Sequence, residues 1–126
     1  MSQYYEMGDR TLWNPSSGVS RLFLRQVALY EAELGVPSGF GPMEADVSRI
    51  DPAGFTAFVD ALLVRHSKTR NAVMKTLSEG FVVTVLVLAQ KAGIEMAALS
   101  GAGGESWAVG LLERAREMRR HMVDGM

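Results

Sequence analysis

FVVTVLVLA, residues 81–89, is the most apolar run of the chain, and how it is read decides the fold. It is too short to cross a bilayer as a helix, which takes about 20 residues, and Glu79 and Lys91 close it on both sides. The run therefore belongs in a core. Its β-branched residues Val82, Val83, Thr84, Val85 and Val87 suit a strand buried on both faces, and periodicity alone does not separate strand from helix over so short a stretch. The flanks favour a helix. Ala72, Leu77, Phe81, Val85, Leu88 and Ala92 recur at spacings of three to five, and Gly93 stands where a helix stops. One long helix over 71–92 follows, weakened at Gly80 by about 1 kcal/mol relative to alanine. The alternative is a helix to Ser78 followed by a central strand over 81–88.

Upstream, Asp51-Pro52 is a strong helix start: the aspartate accepts from free backbone amides and the proline takes the first helical position. Phe55, Phe58, Val59, Leu62, Leu63 and His66 then share one face, giving a helix over 52–66. Ser16 and Ser17 cap another over 16–34, with Val19, Leu22, Phe23, Val27, Tyr30 and Leu34 as its apolar face and Gly35 and Pro37 ending it. Arg21 and Arg25 lie in its first half and Glu31 and Glu33 near its end, the reverse of what the macrodipole prefers. A solvated face tolerates this mismatch; the sharper reading is that the charges meet complementary ones on an antiparallel neighbour, on this chain or across a two-fold axis.

At the start, residues 3–14 read as two short strands about Gly8-Asp9, a type II′ hairpin pairing Tyr4 with Trp13 and Tyr5 with Leu12. Tyr4, Tyr5, Leu12 and Trp13 then form a lid closing one end of the core, the alternative being an exposed aromatic patch for a partner. Between the first two helices, 35–50 is a glycine- and proline-rich loop pinned by Phe40 and Met43, with 44–50 able to form a short strand. After 93, the apolar segment 94–99 reads as an irregular strap or a helical extension. Ser100–Ser106 reads as a flexible joint. A last amphipathic helix then carries Trp107, Leu111, Leu112, Ala115, Met118 and Met122 on one face, with Arg116, Arg119, Arg120 and His121 toward its end. The domain reading is a core over 1–99, a joint over 100–106 and a terminal helix over 107–126. The fold class is mainly α, a small helical bundle with an N-terminal β-hairpin.

Length and composition suit one domain: 126 residues, 48% of them hydrophobic. With 13 basic and 14 acidic residues there is no global field toward nucleic acid or anionic lipid. The absence of cysteine removes disulfides, thiol nucleophiles and thiolate metal sites. MSQYYEMGDR lacks the character of a signal peptide, so the expectation is a cytoplasmic protein that does not act at a membrane.

Chemistry-bearing motifs are sparse. His66 and His121 are the two histidines, each beside basic residues, and general acid–base work needs a tuned group with a positioned partner. Glu44, Asp46 and Asp51 match no calcium-loop spacing. SGAGGES, 100–106, has glycines but no following lysine, and Glu105 sits where a phosphate would lie. Charge is segregated, with acids over 31–60 and Arg65, Lys68, Arg70 and Lys75 over 61–78. The basic loop at Arg65, Lys68 and Arg70 is a candidate anion site, and no base-stacking aromatics interleave it for nucleic acid.

The stretches GDRTLWNPS (8–16), VPSGFGP (36–42), IDPAGFTAFVDAL (50–62) and LSEGFVVTVLVLAQKAG (77–93) together resemble an uncharacterised family of small actinobacterial proteins, over roughly residues 3–95. The resemblance implies a small bacterial cytoplasmic domain and no site residues. The expected function is a non-catalytic protein-interaction module (adaptor, regulator or toxin-neutralising partner) with no cofactor or metal, binding another protein or a second copy of itself. Its candidate partner-binding residues are Trp107, Leu111, Arg116, Met118, Arg120 and Met122, whose pliable methionines suit adaptable contacts. The alternative is a small-ligand or phosphate-binding protein using the loop 65–71.

Overall fold

The computed structural model describes residues 1–102 and 104–122. It is mainly helical, with a small three-stranded sheet at one end. In chain order the elements are β1 (Tyr4–Met7), β2 (Arg10–Trp13), α1 (Ser17–Leu34), β3 (Val47–Arg49), α2 (Pro52–Lys68), α3 (Ala72–Ala92), α4 (Ala97–Ala102) and α5 (Ser106–Arg119).

The decisive run is helical. α3 is capped by Asn71, whose side chain accepts from the Met74 amide, and it ends at Gly93 in the left-handed conformation. From Phe81 to Ala89 every residue but Thr84 is buried, so the second half of the helix is enclosed by the rest of the chain. By length and composition α3 would also span a membrane, but half of its most apolar window is buried within the fold. The predicted inner face is wrong at Leu77, which is 76% exposed, because the first half of α3 is left uncovered on that side.

The helix caps follow the sequence. Ser16 accepts from the Val19 amide and Asp51 from the Gly54 amide, with Pro52 at the first position of α2. Along α1, Ser20, Phe23 and Val27 are buried, whereas the predicted core residues Val19 and Leu22 face outward. The apolar surface of α1 is wider than one core can take up.

The hairpin turns at Gly8-Asp9 as expected, pairing Met7 with Arg10 and Glu6 with Thr11. Beyond that, a bulge between Tyr5 and Glu6 slips the register, so Tyr5 pairs with Trp13 and not with Leu12. Strict alternation would turn either Leu12 or Trp13 outward, and the extra residue lets both be buried with Tyr5. β3 adds in parallel on the other edge of β1, giving the order β2-β1-β3.

Tyr5 is the hub that joins sheet to helices. Its ring lies 5.5 Å from Trp13, 5.7 Å from Phe23 and 5.8 Å from Phe40, and its hydroxyl shares a 2.7 Å hydrogen bond with Ser20 Oγ. Phe40 also meets Phe55 at 5.3 Å, which pins the loop before β3 onto α2. The same loop is tied to α1 by the Ser38 amide, which donates to Glu31 Oε2 at 2.8 Å.

The joint predicted over 100–106 is partly helical: α4 runs through Ala102, with Leu99 and Ala102 buried. Small residues let this short helix pack on α2 where a glycine-rich composition reads as free linker. α5 folds back onto α3 through Ala108, Leu111 and Ala115. The predicted terminal helix extends past residue 122, and that part lies outside the described residues.

Candidate functional site

Polar groups in the interior are few and mostly engaged. His66 is 7% exposed on α2 and borders a cavity of about 20 Å³, room for about one water, with Tyr30, Leu62 and Met74 in its wall. Burial lowers its pKa below 6.5, and Lys75 lowers it further. Ser78, in the same wall, has its hydroxyl committed to the Met74 carbonyl at 2.7 Å. No group of three or more metal-capable side chains forms among the described residues, so Glu44, Asp46 and Asp51 do not assemble there.

Lys91 is 8% exposed, and its ammonium donates to the carbonyls of Leu12 at 3.2 Å and Met122 at 2.9 Å. Arg10 in turn donates to the Lys91 carbonyl. One side chain of α3 thus ties the hairpin to the segment after α5.

The candidate anion residues lie at the end of α2 and in the turn that follows it. Arg65 turns to Glu33 at 3.0 Å, joining α2 to the end of α1, whereas Lys68 and Arg70 are exposed on either side of Thr69. The candidate partner residues divide. Leu111 and Met122 are buried in the chain's own core, Trp107 and Met118 are half-buried, and Arg116 and Arg120 are exposed. Trp107 Nε1 donates to Glu105 at 2.8 Å, and Arg114 reaches Glu79 at 3.3 Å, fixing α5 on α3.

The surface the sequence reading missed lies between α1 and α3. Aromatic rings fill the space between the two helices: Tyr30 stacks on Phe81 at 4.5 Å and Phe23 lies 5.7 Å from it. Outside those rings a groove of about 430 Å³ opens, with Val19, Leu22 and Gln26 on one wall and Leu77, Gly80 and Thr84 on the other. Met118, His121 and Met122 close one end. Among the described residues, no aspartate, glutamate, lysine or arginine lines it. A second hollow of about 230 Å³, between α3 and α5, shares Gly80, Met118 and His121 with it.

The exposed residues follow a pattern. On α1 they are Val19, Leu22 and Leu29, with Gln26 completing a three-four-three spacing. On α3, Val73, Leu77, Gly80 and Thr84 are spaced four-three-four, with Val73 and Leu77 strongly exposed. Both are heptad seams of the kind through which helices pack on helices. The signal was present in the sequence as a second apolar stripe beside the inner one. It is masked when every apolar residue is assigned to a single core.

No curated protein and no solved structure matches the chain. A family model does, across residues 1–124, so the match takes in α4 and α5 as well as the region of resemblance over 3–95. The chain belongs to a family of unknown function, DUF6086.

Proposed function

We propose that this chain is a non-catalytic protein-interaction module of the bacterial cytoplasm, of actinobacterial origin, working as an adaptor, regulator or toxin-neutralising partner through the groove between α1 and α3. The observation that carries the reading is the exposure of Leu22 at 61% and Leu77 at 76% beside a mostly apolar groove. Burying a leucine side chain is worth about 1.5–3 kcal/mol, and here that gain is left for association. The groove also shifts the reading away from the inner face of α5. Leu111 is buried in cis, and of the two methionines that border the groove Met122 is buried and Met118 half-buried. The phosphate-binding reading has less support, since Arg65 is engaged by Glu33.

Affinity capture from an extract of the native cell tests it. Wild type is expected to retain a protein that Leu22→Glu and Leu77→Glu both release, while each variant keeps its helical circular dichroism. Equal recovery with all three chains would refute it.

A further inference from the structure

Beyond the α1/α3 groove, we infer that the opposite flank of α1 is a docking site for an acidic peptide segment of a partner protein, one presenting two carboxylates a helical turn apart beside an apolar side chain. The site is a hollow of about 450 Å³ lined by Arg21 and Arg25 together with Leu24, Ala28 and Met43.

Helical geometry separates this site from the groove. At 3.6 residues per turn, Arg21, Leu24, Arg25 and Ala28 form one face of α1, and Val19, Leu22 and Gln26 lie on the nearly opposite one.

Charge identifies the occupant. Arg49 is held by Glu6, Arg65 by Glu33, Arg114 by Glu79 and Arg10 by the Lys91 carbonyl. Among the described residues, neither Arg21 nor Arg25 has an ion pair or a side-chain hydrogen bond. The acid that reaches this flank, Asp46, accepts from Gln3 Nε2 at 3.4 Å instead. Two like charges four residues apart repel one another, and in the first half of a helix they also oppose the macrodipole. A ligand carrying two carboxylates relieves both effects, because each guanidinium can bind a carboxylate through paired N–H donors. Residues four apart in a helix are separated by about 6 Å along its axis, so acids at that spacing match Arg21 and Arg25.

Shape separates a peptide from a small anion. Arg21, Arg25 and Ala28 are exposed, so the rim is open, whereas small-ligand sites enclose most of their ligand. A peptide lies across such a rim and lowers one apolar side chain toward Leu24 and Met43, both half-buried. The Met43 side is preset. Glu44 and Val47 exchange two backbone hydrogen bonds of 3.0 Å, closing a turn that holds Ala45 and Asp46 at φ of +50° and +63°. Residues with a Cβ resist that conformation, and a wall fixed in advance loses less freedom on binding.

Fluorescence anisotropy of a labelled peptide built on Glu-Ala-Ala-Leu-Glu, titrated with the full chain, tests the inference. Saturation is expected with a Kd of roughly 10–100 µM, as for a small transient contact. R21E/R25E, which breaks no ion pair of the fold, is expected to weaken binding at least tenfold with unchanged circular dichroism. Glutamine in place of the peptide's glutamates should weaken it alike, and Leu22→Glu, on the far face of α1, should leave it unchanged. No saturation up to about 1 mM overturns the inference, as does binding that R21E/R25E leaves intact or that Leu22→Glu removes. Arginine-dependent binding of phenyl phosphate without binding of the peptide also overturns it, in favour of a small-anion site. The groove reading is decided separately, by capture with Leu22→Glu and Leu77→Glu.

Discussion

At the scale of single residues, the fold concentrates its strain and its specificity at a few positions. Tyr5→Phe keeps the ring among Trp13, Phe23 and Phe40 but removes the partner of the buried Ser20 hydroxyl. Urea denaturation is expected to show a loss of about 1 kcal/mol. Burial pushes the Tyr5 phenol up to about 12 from 10.0, so above about pH 10 the unfolded chain releases a proton that the folded chain holds. Stability therefore falls as pH rises through that window, and the phenylalanine variant should flatten the fall. His66 sets the acid side with the opposite bookkeeping. Its folded pKa lies below 6.5, so as pH falls past that value the unfolded chain binds the proton first and stability drops. His66→Gln is expected to reduce that slope in melts taken between pH 7 and 5. Two glycines differ in sign. At Gly39, φ is +83° and a Cβ would lie 2.5 Å from the Phe55 amide nitrogen, so alanine should cost several kcal/mol. At Gly80, alanine has open space and should add about 1 kcal/mol.

At the scale of elements, Lys91 of α3 ties the hairpin to the segment after α5. Lys91→Met fills similar volume but leaves the carbonyls of Leu12 and Met122 without their donor. A loss of about 2–4 kcal/mol is expected, with hydrogen exchange rising first in β2 and the last turn of α5. Most elements were legible because their signals are local. Asp51-Pro52, Ser16 and Gly93 set helix ends through neighbouring backbone groups, and Gly8-Asp9 set the turn. What was not legible depends on contacts between elements. The bulge at Tyr5 arises because Leu12 and Trp13 both find space in the core, and α4 forms because Leu99 and Ala102 find a surface on α2. The groove was hidden for the same reason. The sequence marks Val19, Leu22 and Leu77 as apolar at helical spacing, and only the placement of α1 relative to α3 shows that they point away from their own core.

At the scale of the whole molecule, one end is closed by sheet and aromatics, while one side of the bundle keeps an apolar face uncovered. Val19, Leu22, Leu29, Val73 and Leu77 are exposed along that face, and single glutamate substitutions there should change monomer stability by no more than about 0.5 kcal/mol. The contrast between negligible effect on folding and large effect on association separates a docking face from a surface with no role. The most direct measurement is site-specific photo-crosslinking in the native cell, with a photoreactive side chain at Leu77 and, as control, at exposed Asp60 on α2. A discrete covalent adduct with another polypeptide chain at 77, absent at 60, is the expected result. No adduct at 77, or the same adducts at both positions, contradicts a molecule that acts through its α1/α3 face.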